Sequence, residues 1–345
     1  MKKLLPLIIL SCLITYRMEA QSTCAQTLRT ARSTYDQGRL HELPALLQGC
    51  LVNGFTDQEK VEAYKLLTLA YIYLEEPAKA DEALLNLLRT DSYFELNTST
   101  DPAEFIALYK TFRTWPIYRV GAKVGINASR PNVVSSVSAL DGSSADYNTN
   151  LNFQSGLAFE IPLHKNFVLN PELYFQVRSF DYTNQVNLSD NLKNVTEGTE
   201  SGTWISLPVS VQYLLNEKRF NPYVALGVSA DYLIGSEITL SRTRENSTSI
   251  QQQTFTLTPQ RNTLHLSLVA SVGSKIRAGG GYITGELRYY YGLTPVNDEQ
   301  TAFTIDNNVL FDYGYADNYY KLNSLTLTIG YIYNIFNPKK LRSRK

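Results

Sequence analysis

Three histidines are the first residues to question for chemistry: His41, His164 and His265. They lie far apart and share none of the short spacings that bring metal ligands together. No Gly-x-Ser-x-Gly elbow and no phosphate-cradling glycine loop occurs, and Gly279-Gly280-Gly281 reads as a hairpin turn. A lipid-modifying enzyme would need a Ser–His pair near a lipid face, but His265 falls in the alternating set expected to point inward. The formal net charge of zero gives no pull toward nucleic acid. The expectation is therefore a protein that is not an enzyme, with no cofactor, no metal site, no nucleic-acid partner and no identifiable small-molecule substrate.

Two other groups of residues remain. The first is a series of ionisable side chains spaced along segments of period two: Arg119, Lys123, Glu160, Glu172, Arg178, Asp231, Lys275, Glu286 and Arg288. Acids and bases occur in similar number, so in an enclosed space they would pair as a structural charge network rather than form a site. The second is Cys24 and Cys50, the cysteines that remain if an N-terminal leader is removed. An exported chain meets an oxidising compartment, where such a pair tends to bond.

The leader is legible. Met1-Lys2-Lys3 supplies a positive start, and Leu4 to Ile14 an apolar stretch too short to cross a bilayer. Cleavage is expected after Ala20. Lipoprotein processing at Cys12 is the alternative, since Ile9-Leu10-Ser11-Cys12 loosely resembles a lipobox.

Residues 22–114 carry helical periodicity, and 21–115 are expected to form a small all-α domain. One helix over Thr23 to Gln37 stops at Gly38, and a second covers about Glu42 to Leu51. A hairpin of the two would bring Cys24 near Cys50 and close a loop of about 25 residues. Val61 to Phe94 has the spacing of a tetratricopeptide repeat, through Tyr64, Leu67, Tyr71, Ala80, Leu84, Leu87 and Asp91. Thr68, Ser92 and the Glu75-Glu76 turn depart from that pattern. A last helix, about Pro102 to Arg113, is expected to start under an Asp101 cap. Repeats of this kind stack to present a surface to a peptide or protein, so Tyr64, Tyr71, Phe105 and Tyr109 are the candidate partner-binding residues.

From Tyr118 the period changes to two. Candidate strands cover about 118–128, 150–162, 167–180, 203–215, 222–234, 263–277, 281–292 and 323–336, each long enough to cross a bilayer at a tilt. One face is apolar throughout, for example Val120, Val124 and Ile126, then Leu226, Val228 and Tyr232, then Leu325, Leu327 and Ile329. The other holds the ionisable series together with Gly121, Gly125, Gly156, Gly227 and Gly273. In a soluble ligand-binding barrel the apolar face would line a cavity; in a membrane barrel it faces lipid. The unbroken apolar face and the paired charges with glycines on the other favour lipid. So do aromatics near strand ends, namely Tyr118, Trp204, Tyr213, Tyr223, Tyr232, Tyr291, Tyr333 and Phe336. Short connections (162–166, 216–221, 278–280) alternate with long polar ones (129–149, 181–202, 235–262, 293–322), as in outer-membrane barrels with short periplasmic turns and long external loops.

The expected architecture is thus a signal peptide (1–20), a periplasmic tetratricopeptide-like helical domain (21–115), an eight-stranded antiparallel transmembrane β-barrel in outer-membrane lipid (116–337) and a basic periplasmic tail (338–345). An eight-stranded barrel has room inside only for side chains. The expected role is therefore an anchor for a helical domain with a periplasmic protein or peptide partner, as a component or scaffold of an envelope assembly. A surface module whose long loops meet an external ligand is the alternative.

The first strand, Tyr118-Arg-Val-Gly-Ala-Lys-Val-Gly-Ile-Asn127, with Leu207-Pro-Val-Ser210 and Asn221-Pro-Tyr-Val-Ala-Leu-Gly227, resembles the PorT-like outer-membrane barrels of Bacteroidota. The resemblance covers the barrel alone. It implies an outer-membrane barrel in a family some of whose members are linked to secretion or gliding machinery. One departure stands out: many such barrels end on a terminal aromatic, whereas here Phe336 precedes Asn337-Pro338 and the basic stretch Lys339 to Lys345.

Overall fold

The computed structural model describes residues 23–136, 144–189, 192–215, 220–244, 249–298, 301, 304, 309, 312–315 and 317–341. The leader, its cleavage and Cys12 lie outside these residues. The described chain divides into two compact units, one built from residues 23–116 with 336–341 and the other from residues 117–335.

The first unit is helical: α1 (23–36), α2 (Leu43–Val52), α3 (Asp57–Tyr73), α4 (Pro77–Thr90) and α5 (Ala103–Tyr109). Gly38 takes a left-handed φ of 76° just after α1, a conformation that costs glycine little. Cys24 and Cys50 are joined with their Cα atoms 5.6 Å apart, so the disulfide ties α1 to α2. A capping box opens α3: Thr56 accepts from the Glu59 N–H while the Glu59 carboxylate accepts from the Thr56 N–H. Pro77 opens α4, where its missing N–H is no loss. Ala63, Ala70, Ala80 and Ala83 are buried small residues of α3 and α4, and they allow close helix packing. Thr68 is also fully buried there, and its hydroxyl donates to the Tyr64 carbonyl at 2.7 Å.

Two expectations about this unit change. Helix α5 runs only from Ala103 to Tyr109, and Asp101 does not cap it. The Asp101 carboxylate instead turns back to accept from the Asn97 N–H at 2.8 Å and pairs with Lys65. The C-terminal stretch is not a free tail over its described part. Phe336 stacks edge-on to Tyr93, the Arg113 N–H donates to the Lys339 carbonyl, and the Leu341 N–H donates to Thr111.

The second unit is a closed antiparallel barrel. Its strands are β1 (Tyr118–Ser135), β3 (Leu151–Pro162), β4 (Phe167–Ser189), β5 (Leu192–Leu214), β6 (Phe220–Arg244), β8 (Leu264–Ala278), β9 (Gly281–Gly292) and β10 (Tyr319–Ile335). Each pairs with its neighbour in chain order, and β1 closes the ring on β10, with Tyr118 opposite Ile335. Two short strands, β2 (Ser144–Thr149) and β7 (Ile250–Thr256), pair with β4 and β6 beyond the ring. All eight expected strands are present. The segments expected as long loops are largely their continuation: β4, β5 and β6 extend to 23, 23 and 25 residues. The barrel therefore has a short-turn end and a long-hairpin end. No described helix is long and apolar enough to cross a membrane.

The two faces fall as expected. Val120, Val124, Ile126, Leu226, Leu325, Leu327 and Ile329 are exposed on the outer face, and the charged series is buried inside. Glycine makes room within the narrow lumen. A Cβ on Gly156 would lie 2.5 Å from the Tyr174 ring, and one on Gly273 would lie 2.6 Å from that of Tyr223. Three aromatics expected in the outer girdle lie elsewhere. Trp204 and Tyr223 are buried inside, as their parity beside Ile205 and Val224 requires, and Phe336 belongs to the helical unit. Tyr118, Tyr213, Tyr232, Tyr291 and Tyr333 are exposed outside.

Candidate functional site

The barrel interior holds every residue of the expected charge network, and the structure arranges them in layers. Nearest the short-turn end, Glu160 accepts from Arg119 at 3.1 Å and lies 2.6 Å from the Lys275 ammonium, which also donates to Gln212. In the next layer Lys123 sits between Glu172 and Glu286, at 2.6 and 2.9 Å. Arg288 completes that square, pairing with the same two carboxylates. The Tyr223 hydroxyl adds a donor to Glu286 at 2.8 Å. Above it Arg178 donates to Asp231 at 3.0 Å, with its guanidinium over the rings of Trp204 and Tyr290. His265 is buried beside this layer, edge-on to Trp204, and its Nε2 lies 2.6 Å from the Asn262 carbonyl.

A fourth layer lies at the long-hairpin end, and sequence reasoning missed it. Arg261 donates to both oxygens of Glu200, at 2.8 and 2.9 Å, and also binds Asp317. Tyr320 donates to Glu200 at 2.9 Å and Tyr315 to Asp317 at 3.0 Å. Burial works against the Arg261 charge, yet the adjacent Glu200 and Asp317 carboxylates hold its pKa well above the ordinary range. Burial also pushes up the Tyr315 hydroxyl, with Asp317 adding to it. Over this cluster lies a small apolar core of Tyr182, Ile238, Leu240, Leu257, Val309, Tyr313 and Tyr315. Leu257, which precedes β8, and Val309, Tyr313 and Tyr315, which precede β10, thus pack together at this end of the barrel.

These residues fall in stretches rich in Ser, Thr, Asn and Asp, where the apolar-out rule fails. The signal was a reversal of polarity at constant period. Along β4 the inward set passes from Glu172, Gln176 and Arg178 to Phe180 and Tyr182. The outward set passes from Leu173 and Phe175 to Asp181 and Thr183. That is the pattern of a sheet leaving lipid for water.

As chemistry, the lumen offers pairing rather than reaction. The four layers hold six cations (Arg119, Lys123, Arg178, Arg261, Lys275, Arg288) and six carboxylates (Glu160, Glu172, Glu200, Asp231, Glu286, Asp317), so their charges cancel. Among the described residues no group of three or more His, Cys, Asp or Glu is placed to hold a metal ion.

In the helical unit the four candidate partner-binding residues are only partly available. Phe105 is fully buried against Leu84, Leu87 and Leu88, so it serves the core and cannot meet a partner. Tyr109 is half-buried and donates to the Phe94 carbonyl at 2.7 Å; Tyr64 packs against the unit's core. Tyr71 alone of the four lines an open cleft of about 500 Å³ within this unit.

No curated protein matches the chain. Among solved structures, outer membrane protein OprG from Pseudomonas aeruginosa is 14% identical over 64% of this chain and 98% of its own, with a TM-score of 0.34. Neisserial surface protein A is 11% identical over 63% and 97%, with a TM-score of 0.30. Ail, the attachment invasion locus protein of Yersinia pestis, is 12% identical over 62% and 98%, with a TM-score of 0.27. The outer membrane protein beta-barrel domain model matches residues 117–298, more than half of the chain. On that match the chain belongs to the outer membrane protein beta-barrel domain family, and it is a protein of the outer membrane.

Proposed function

We propose that this barrel is a non-conducting, non-enzymatic anchor that holds a helical protein-interaction domain in the periplasm. The observation that carries the reading is the buried interior of the barrel, where layered ion pairs stand one above another and a small apolar core packs beside the last of them. A barrel without a path for solutes serves to hold what is attached to it. Eight strands return the chain to the short-turn end, which in this family of architectures faces the periplasm. The helical unit has its own core and disulfide, as a domain working in an oxidising compartment needs. Its tetratricopeptide-like spacing supports a periplasmic protein or peptide as partner. The PorT-like resemblance of β1 supports a place in an envelope assembly of the secretion-related kind. Outer-membrane lipid covers the apolar belt, and no nucleic acid or small-molecule substrate enters the reading.

A second reading has its own observation. The long hairpins carry a polar concavity of about 320 Å³ on their outer side, lined by Asp181, Glu197, Thr199 and Thr239 among others, which suits an external ligand. Photo-crosslinking in intact cells separates the two. A crosslinking residue at Val52 or Tyr73, both exposed on the helical unit, is expected to give a discrete protein adduct. Adducts from Glu197 or Gln252 alone, with none from the helical positions, would transfer the function to the hairpins.

A further inference from the structure

The cleft on the helical unit has a composition that specifies its occupant. Its walls are Tyr71 and Ile72 from α3, Pro77 at the start of α4, and Ala107 and Leu108 of α5. Four carboxylates stand around this apolar floor: Glu75, Glu76, Asp81 and Glu104. Two of them are already matched, Glu76 by Lys79 and Asp81 by Lys340. Glu75 and Glu104 are exposed and meet no cation among the described residues. Glu75 also holds a left-handed φ of 60°, which is uncommon for a side chain of its size. It sits in the tight turn between α3 and α4.

We propose that this cleft binds a short peptide segment of a partner protein that carries an apolar anchor residue flanked by lysine or arginine. The proposal rests on the reading of the helical unit as a protein-binding domain, and names its ligand. The volume suits one or two large side chains and is within the range of ordinary ligand sites. An apolar anchor would cover Ile72, Pro77 and Leu108, which water now wets at an energetic cost. A flanking cation would meet Glu75 and Glu104 at the rim, where complementary charge selects the partner and excludes acidic ones. The chain itself supplies a miniature of this contact. Lys340, arriving from the C-terminal segment, lies at the cleft edge with its ammonium on Asp81. Neither the barrel lumen nor the disulfide takes part.

The test uses the full chain in lipid nanodiscs and three sets of synthetic dodecapeptides. One set combines Leu or Phe with Lys and Arg; the second replaces the bases by Glu; the third keeps the bases but replaces the apolar residues by Gly and Ser. Binding is read by fluorescence anisotropy. The first set is expected to bind, and the other two not. Glu104→Lys combined with Glu75→Lys should weaken that binding about tenfold or more. Ala107→Trp, at an exposed position, should fill the cleft and abolish it. Equal binding of the acidic set, or binding unchanged in these variants, overturns the proposal. So does binding seen only after residues 339–345 are deleted, which would make the chain's own tail the occupant. Crosslinked adducts from Val52 or Tyr73 that persist in the Ala107→Trp variant would remove the cleft while leaving the protein-binding domain in place. Loss of all helical adducts in the unaltered chain would remove the domain reading itself.

Discussion

Glu286 shows how the lumen is held at the level of single residues. It touches Lys123, Arg288 and Tyr223, and it is almost wholly buried. Replacing one member of such a network leaves the others as uncompensated buried charge, which costs far more than an exposed pair would. Glu286→Gln should therefore lower barrel stability by about 3–5 kcal/mol, read as an earlier urea midpoint in lipid vesicles. Adding Lys123→Met should restore part of the loss, because it removes the one positive charge left in excess over Glu172. An unshifted midpoint in the single variant would mean that the square of charges is not what fills the lumen. Arg261 occupies the matching position at the mouth. Arg261→Met removes the cation that Glu200 and Asp317 share in that cluster. Cleavage between residues 249 and 263 by an added protease should then speed up, with the barrel itself intact. Equal cleavage rates in the two proteins would show that the apolar cap alone holds the mouth shut.

Among the elements, α1 and α2 depend most on one covalent link. The Cys24–Cys50 bridge spans 26 residues, and such a loop stabilises by about 3 kcal/mol in the chain-entropy model. Cys50→Ser with Cys24→Ser should lower the melting temperature of the helical unit while leaving the heat-modifiable migration of the barrel unchanged. A barrel that also loosened would contradict the separation into two units. The strands teach a different lesson. Eight of them are legible because lipid outside and charge inside leave an alternation that no loop imitates. Their full length is not legible in the same way, and β6 shows why. Tyr232 and Ile234 point outward, whereas Ile238 and Leu240, of the same sequence parity, point inward. A register shift between Thr203 and Trp204 of β5, opposite Gly235 and Leu233, marks a bulge, and one extra residue turns every later side chain over. The apolar series runs on in sequence, but it passes from the lipid face to the cap.

Taken whole, the molecule is a filled barrel with a separately built helical unit. Reconstituted into planar bilayers, it should show no stepwise ion conductance, since an eight-stranded ring encloses little more than its own side chains. Discrete, reproducible channel openings would refute the closed column and with it the anchoring role. The amino-acid sequence by itself determined the two periodicities, the positions of the crossing strands, the face that meets lipid and the charges carried inward by the crossing strands. These follow from local alternation and from the exclusion of unpaired charge from hydrocarbon, both readable residue by residue. The tertiary structure alone decided which carboxylate meets which cation, the inward turn of the β6 apolar series, and the cluster of Arg261, Glu200 and Asp317. It also removed Phe105 from the candidate surface and opened the cleft beside Tyr71. Each of these depends on residues distant in the chain arriving at one place, and alternation along a single strand carries no record of that.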